Sequence, residues 1–393
     1  MKERCVHRVK GILRAMMLLL LALSVLPLGA VQAAWQPSLA IGLLKGQTTA
    51  SLAVRQGAAK LSLDEKVLRN LPRGTTLTVA VEGGGFLVNG KRFSGKTLAL
   101  KADKGKGEMI VSVNGRSYRG ELRLVRHQEG FTVVNDIPAE AYVKSVLPSE
   151  MPPEWPAEAE KAQAIAARTF ALANRGRHQA DGFDLCATTH CQTYTGIAGE
   201  RDASTAAVQA TYGQVMTYQG RLVDAVFHTD SGGMTENSED VWGSRIPYLR
   251  AASEVQTATK PWHREWTLEA FSAKLAAKGT IGTLKRIKLS PLQIGKRADD
   301  RASSGRVKSV TFVGTHGTLR LSGNELRSLF QLDSTLFSLR IDGNRVLATG
   351  YGAGHGLGLS QWGAKAYAEK GTKAQAILTH YYQGVEMKQL YKE

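Results

Sequence analysis

Between residues 35 and 135 apolar and polar side chains alternate in short runs, each closed by a turn signal. Thr76-Leu77-Thr78-Val79-Ala80-Val81, Met109-Ile110-Val111-Ser112-Val113 and Phe131-Thr132-Val133-Val134 are such runs; Gly83-Gly84-Gly85, Asn89-Gly90 and Asn114-Gly115 punctuate them. A period of two sends successive side chains to opposite faces, so each run makes a strand with one face to bury. The Asn-Gly pairs predict tight hairpins, because a primed turn needs positive φ at both central residues. After Pro138 the period lengthens. Ala159, Ala162, Ala166, Thr169, Phe170 and Ala173 share one helical face, and Pro156 suits a first helical turn, where a missing N–H costs nothing. The rest reads as a helix over 203–212, strands over 215–218 and 222–228, and a loop over 232–265. A helix over 268–278, strands over 284–289, 307–313 and 318–321, and helices over 323–330, 360–370 and 373–382 follow. Strands and helices come in blocks rather than in strict alternation, which predicts an α+β fold. Residues 34–133 form its β-rich N-terminal region, packed on a mixed domain over 134–393.

The first 33 residues stand apart. A basic stretch leads into the apolar run 15–26, then Pro27 and Val31-Gln32-Ala33. That is the pattern of a secretory signal peptide with a small-residue cleavage site. The run is too short to span a bilayer, which takes ~20 apolar residues, so no transmembrane span is expected after cleavage. The expected location is the periplasm or the outer, cell-wall face. Of the formal charge of +17, +13 lies from Ala34 onward. Such a basic surface favours a polyanionic partner. Export, and the lack of a Walker-type loop or RNA-binding signature, argue against nucleic acid.

Two stretches carry chemistry. Around Ser149-Glu150-Met151, four prolines fall within nine residues, Pro148 to Pro156. A carboxylate held on a stiff loop beside Leu147, Met151 and Trp155 is desolvated, which raises its pKa toward the range of a general acid. A helix-entry loop whose glutamate only caps backbone N–H groups has the same spacing. Glu154 and Glu158 read as solvated acids at a helix N-terminus. The second stretch, His178-x7-Cys186-x3-His190-Cys191, supplies the imidazole and thiolate ligands of a structural zinc site. A Cys186–Cys191 disulfide is the alternative in an oxidising compartment.

Glu150-Met151-Pro152, Trp155-Pro156 and Glu160-Lys161-Ala162-Gln163-Ala164-Ile165-Ala166-Ala167-Arg168-Thr169 resemble the signature of the SpoIID/LytB family. The likeness returns in Phe227-His228-Thr229-Asp230-Ser231-Gly232-Gly233, in Ser322-Gly323-Asn324-Glu325-Leu326-Arg327 and in Gly354-His355-Gly356-Leu357-Gly358-Leu359-Ser360-Gln361-Trp362-Gly363-Ala364. These blocks keep their order over about residues 130–385. The resemblance implies a SpoIID-type domain that cuts the MurNAc–GlcNAc bond of peptide-free peptidoglycan strands and leaves a 1,6-anhydro end. In the LytB branch it implies an enhancer of a wall amidase. It also implies Glu150 as acid/base and Arg168 as a group lining the site. Tyr248-Leu249-Arg250 stands where the family has Tyr-x-Lys, with an arginine that keeps the cation and changes its geometry. Some family members bind zinc through a histidine and two cysteines in the corresponding insert.

His228, His355 and Gln361 are candidate sugar-contacting groups. Ser231-Gly232-Gly233 lacks the flanking glycine of a nucleophile elbow. Gly354-His355-Gly356-Leu357-Gly358 lacks the Lys-Ser/Thr of a phosphate loop, so its glycines are expected to bring backbone close to substrate. Trp242, Trp262, Trp266 and Trp362 are candidates for stacking on sugar rings. If the positive charge contributes to wall binding, retention of the mature chain on intact sacculi should fall as salt is raised. Equal pull-down at low and high salt would make the basic surface incidental.

Overall fold

The computed structural model describes residues 36–103, 105–254 and 260–392, and the expected signal peptide lies outside them. The alternating runs pair into two sheets. In the larger, Ser38–Gln47 lies antiparallel to Phe131–Pro138, and the sheet continues through Glu121–Arg126, Thr97–Ala102 and Ala59–Leu63 to the edge strand Lys66–Leu71. The smaller is centred on Thr49–Gln56 and Thr76–Glu82 and carries both Asn-Gly hairpins. Asn89, Gly90, Asn114 and Gly115 have φ of 47°, 78°, 48° and 83°, the left-handed pair that a primed turn demands. Leu39, Ile41, Leu52, Leu77, Leu98, Leu122 and Val133, from both sheets, are buried in one core.

Phe131–Pro138 runs without a break into helix α1 (Ala139–Glu150). Met151 stops the helix by turning extended, φ −139° and ψ 132°. Glu150 therefore closes a helix, where proline spacing had suggested a loop. After the Pro152–Pro156 turn, α2 (Ala157–Ala173) begins with Pro156 as its N-cap. Ala159, Ala162, Ala164, Ala166, Ala167 and Ala171 are wholly buried. Their small side chains let α1, α3 (Asp202–Ala210), the helices Gln361–Glu369 and Ala374–Tyr381, and the strand Gln214–Tyr218 all pack on α2. The apolar core is continuous from Leu39 through these helices to Tyr391.

A second apolar core lies within residues 262–350. It is built on the sheets Trp262–Thr267/Arg345–Gly350/Phe337–Asp342 and Leu284–Lys288/Ser309–Gly314/Gly317–Ser322, with Leu268–Ala276 and Gly323–Phe330 as its helices. Phe271 and Phe330 stack at its centre, ring centroids 4.2 Å apart. The segment read as loop over 232–265 thus ends in a strand, and the Phe337–Gly350 hairpin is an addition to the expected elements. Strands and helices together give the α+β fold. Among the described residues no helix is long and apolar enough to cross a membrane.

One charged contact sits in the main core. Glu140 accepts two hydrogen bonds from Arg168, at 2.7 Å each, one from the Gly213 amide at 3.0 Å and one from the Tyr391 hydroxyl at 2.6 Å. Arg168 also donates to the carbonyls of Gln214 and Val208. Breaking a buried pair from one side leaves an uncompensated charge and costs about 3–5 kcal/mol. Arg168→Ala should lower the unfolding free energy by about that much in urea titrations. A loss below about 1 kcal/mol would mean that Glu140 needs no cation.

Candidate functional site

The end of α1, the loop after α2 and the wall formed by residues 227–229 and 353–361 enclose a cleft of about 800 Å³. Glu150, His228, His355 and Gln361 line it, together with Trp242, His190 and Cys191. The wall is made by a short parallel pairing, Phe227 with Leu359 and His228 with Ser360. Two motifs that lie more than a hundred residues apart in the chain become neighbours through it.

Glu150 is held from one side. Its Oε1 accepts the backbone N–H of Thr193 at 2.9 Å. Burial raises the carboxyl above its ordinary pKa, and the hydrogen bonds from Thr193 partly oppose that rise. The Thr193 segment is itself fixed. The Tyr142 hydroxyl donates to Gln192, Gln192 donates to the Ala167 carbonyl, and the Tyr194 hydroxyl donates to Asn135. Glu158 is held by the Ala374 amide and Lys161, which lower its pKa, and Glu154 is exposed. Asp224 and Asp333 also line the cleft; Asn174 donates to the first and Arg264 pairs with the second at 2.8 Å.

The two histidines differ. The Nδ1–H of His228 donates to the Leu357 carbonyl at 3.0 Å, and its buried Nε2 has no partner among the described residues. Burial, then His355 and Arg306, hold its pKa well below the usual imidazole value. It is therefore a neutral imidazole in the cleft wall, with Nε2 as its unused acceptor. His355 has both nitrogens engaged, Nε2 with the Phe227 carbonyl and Nδ1 with the Leu357 amide. It lines the cleft without a free hydrogen-bonding atom. The nearby glycines press against protein. A Cβ on Gly354 would stand 2.6 Å from that of His228, and one on Gly356 would stand 2.3 Å from Arg306 Nε. They seat the wall, a different task from the expected approach of backbone to substrate.

Three expected site residues fall elsewhere. Arg168 is fully buried on Glu140 and cannot reach a ligand. The Tyr248 hydroxyl accepts the Asp224 amide at 2.9 Å, one residue behind the cleft. Arg250 is paired with Glu239 through two contacts of 2.6 Å. Their charge and polarity hold this part of the fold in place, which a one-dimensional motif cannot distinguish from contact with substrate. Trp262 and Trp266 are packed with the second core, whereas Trp242 and Trp362 are each 44% exposed.

His178, Cys186, His190 and Cys191 converge, their ligand atoms all within 4.8 Å of one another. Cys191 Sγ lies 3.4 Å from His178 Nε2 and 3.6 Å from His190 Nδ1, and Cys186 Sγ lies 3.6 Å from His190 Nδ1. Both cysteines are free thiols. His178 Nδ1 bonds Asp181 at 3.1 Å, and its Nε2 is the ring nitrogen turned toward Cys191, the arrangement of a metal-binding imidazole oriented by an outer carboxylate. Cys186 extends the edge of the large sheet, where Leu185–Cys186 pairs in parallel with Ile41–Gly42. Cys191 comes two residues before Thr193, so the cluster anchors the segment that holds Glu150. Sequence reasoning grouped the four ligands but gave no role to Thr193 or Asp181, since a backbone donor and an outer carboxylate leave no motif.

Comparison with known proteins places this architecture. The model of the stage II sporulation protein family matches residues 127–218, and that of a domain of unknown function, DUF8618, matches 244–358. An uncharacterized protein of Brachyspira hyodysenteriae is 32% identical over 279 residues, 70% of this chain and 73% of its own. Stage II sporulation protein D of Bacillus amyloliquefaciens is 32% identical over 276 residues, 65% of this chain and 75% of its own. The amidase enhancer of Bacillus subtilis is 30% identical over 363 residues, 81% of this chain and 50% of its own. The chain belongs to the SpoIID family.

Proposed function

We propose that the protein is an exported lytic transglycosylase that cuts peptidoglycan glycan strands at the MurNAc–GlcNAc bond, with Glu150 as its acid and base. The observation that carries this reading is Glu150 itself, a carboxyl raised by burial and fixed through one oxygen by the Thr193 amide at the wall of a cleft. The protonated carboxyl gives its proton to the glycosidic oxygen as the bond from C1 of the muramoyl ring breaks. The resulting carboxylate takes the proton of the ring's own 6-hydroxyl while O6 bonds to C1. No water enters, and the product is a 1,6-anhydro end. Most glycosidases need a second carboxyl as base or nucleophile; here the intramolecular hydroxyl removes that need. His228 Nε2 accepts a sugar hydroxyl, Gln361 supplies a further polar contact, and Trp242 offers a ring face.

Glu150→Gln keeps shape and hydrogen-bonding capacity and removes the transferable proton. Activity on peptide-free strands should fall ~10²–10⁴-fold, while Glu154→Gln and Glu158→Gln stay active. Wild-type products should be one water lighter than hydrolysed ends by mass spectrometry. Full activity in Glu150→Gln would remove the assignment. The second reading, a non-catalytic activator of a wall amidase, is favoured by the likeness to the amidase enhancer. It requires that wild type leave purified glycan uncut.

The four-ligand cluster fits structural zinc. With Zn–S near 2.3 Å and Zn–N near 2.0–2.1 Å, the nitrogen-to-sulfur edge of a tetrahedron is about 3.6 Å, and the observed separations are 3.4 and 3.6 Å. The ion would be held by His178, Cys186, His190 and Cys191 and would fix the loop carrying Thr193. Protein purified without chelator should carry about one zinc per chain, lost in Cys191→Ser. Metal analysis showing none, with a Cys186–Cys191 bond by mass, would sink the zinc proposal.

A further inference from the structure

The cleft lining carries a cation that none of the foregoing uses. Arg327, in the last turn of Gly323–Phe330, lines the cleft. The single hydrogen bond of its side chain among the described residues runs from Nε to the Leu332 carbonyl, at 3.3 Å. It makes no ion pair among them; the neighbouring carboxylate, Asp333, pairs with Arg264 and acts on Arg327 only through space. Burial lowers its pKa, the mark of a guanidinium short of solvent. Arg306, wholly buried, adds positive potential, and both guanidiniums help to keep His228 and His355 uncharged. His228, which lines the same cleft, has a buried Nε2 with no partner among the described residues. Arg177, the other cation lining the cleft, is exposed, and solvent screens it.

An arginine with its Nε anchored and its terminal amino groups unclaimed presents a planar fork suited to a carboxylate. On the proposed glycan substrate each muramoyl ring bears a lactyl group. While the stem peptide is attached, that group is a neutral amide; once the peptide is removed, it is a free carboxylate. We infer that Arg327 binds this lactyl carboxylate and so selects peptide-free strands by charge. The inference rests on the glycan-cleft reading and adds to it the residue that sets specificity.

The test uses the full mature chain carrying Glu150→Gln, which cannot turn substrate over. Its probes are amidase-stripped glycan strands and the same strands with their lactyl carboxyls capped as methylamides, a change of charge with little change of size. Binding is measured at fixed low salt. Hydrogen bonds to a charged group correspond to about 10- to 100-fold in affinity, so the free-acid strand should bind tighter by that factor. Adding Arg327→Gln should erase the difference and leave methylamide binding unchanged, and Arg327→Lys should restore part of it. Equal binding of the two strands with Arg327 intact overturns the inference, as does a preference that survives Arg327→Gln. If neither strand binds, the glycan-cleft reading fails and takes this inference with it.

Discussion

The buried pair of Glu140 and Arg168 joins the first turn of α1 to the middle of α2, and its spare bonds reach Gly213, Gln214, Val208 and Tyr391. Charges taken out of water are tolerable only when every lone pair and N–H finds a partner, so each of these segments has one acceptable position. The angle between α1 and α2 follows from that constraint. So does the place of Glu150, because α1 begins on the sheet strand Phe131–Pro138 and ends at the cleft. A helix with a fixed first turn and a Met151 stop delivers its last side chain to one point.

Glu150 is then approached from the opposite side. The chain leaving the His/Cys cluster passes Gln192, Thr193 and Tyr194, each bonded to a different part of the core: the first to Tyr142 and Ala167, the second to Glu150, the third to Asn135. Asn135 belongs to the strand that feeds α1, and both its side-chain N–H bonds go to carbonyls of the adjoining chain. The carboxyl is therefore framed by two routes that start on the same sheet. Preorganisation of this kind fixes a carboxyl without leaving it to loop motion.

The sequence made some of this legible and hid the rest for identifiable reasons. Period-two runs and Asn-Gly turns announced the sheets, because their side chains and dihedrals are local. The His/Cys spacing announced that His178, Cys186, His190 and Cys191 lie together, because they are close in sequence. Arg168 was misleading: a charged residue within a strong motif suggests ligand contact, yet its alanine-rich helix is buried on all sides and the charge is spent on Glu140. Tyr248 and Arg250 misled in the same way. The strand Trp262–Thr267 escaped because it pairs with Arg345–Gly350 across some eighty residues, and nothing in it alternates cleanly between apolar and polar; the hairpin Phe337–Gly350 is local, and its Asp342-Gly343 turn was there to be read. Thr193 escaped because its contribution is a backbone N–H.

The second core gives the site a division of labour. Glu150, His228 and Gln361 all lie on elements belonging to the main core, while Arg327 projects from the helix that packs inside residues 262–350. This segment has its own aromatic centre, Phe271 on Phe330, and it enters and leaves beside the cleft wall: Trp262 pairs with Gly350, and its indole N–H bonds the Gly352 carbonyl. A unit with an independent core can change its surface side chains without disturbing the packing of α1 and α2, since distant sites contribute nearly additively to stability. The glutamate that does the proposed chemistry thus sits on an element of the main core, and the residue proposed to choose the substrate sits on a helix of the second.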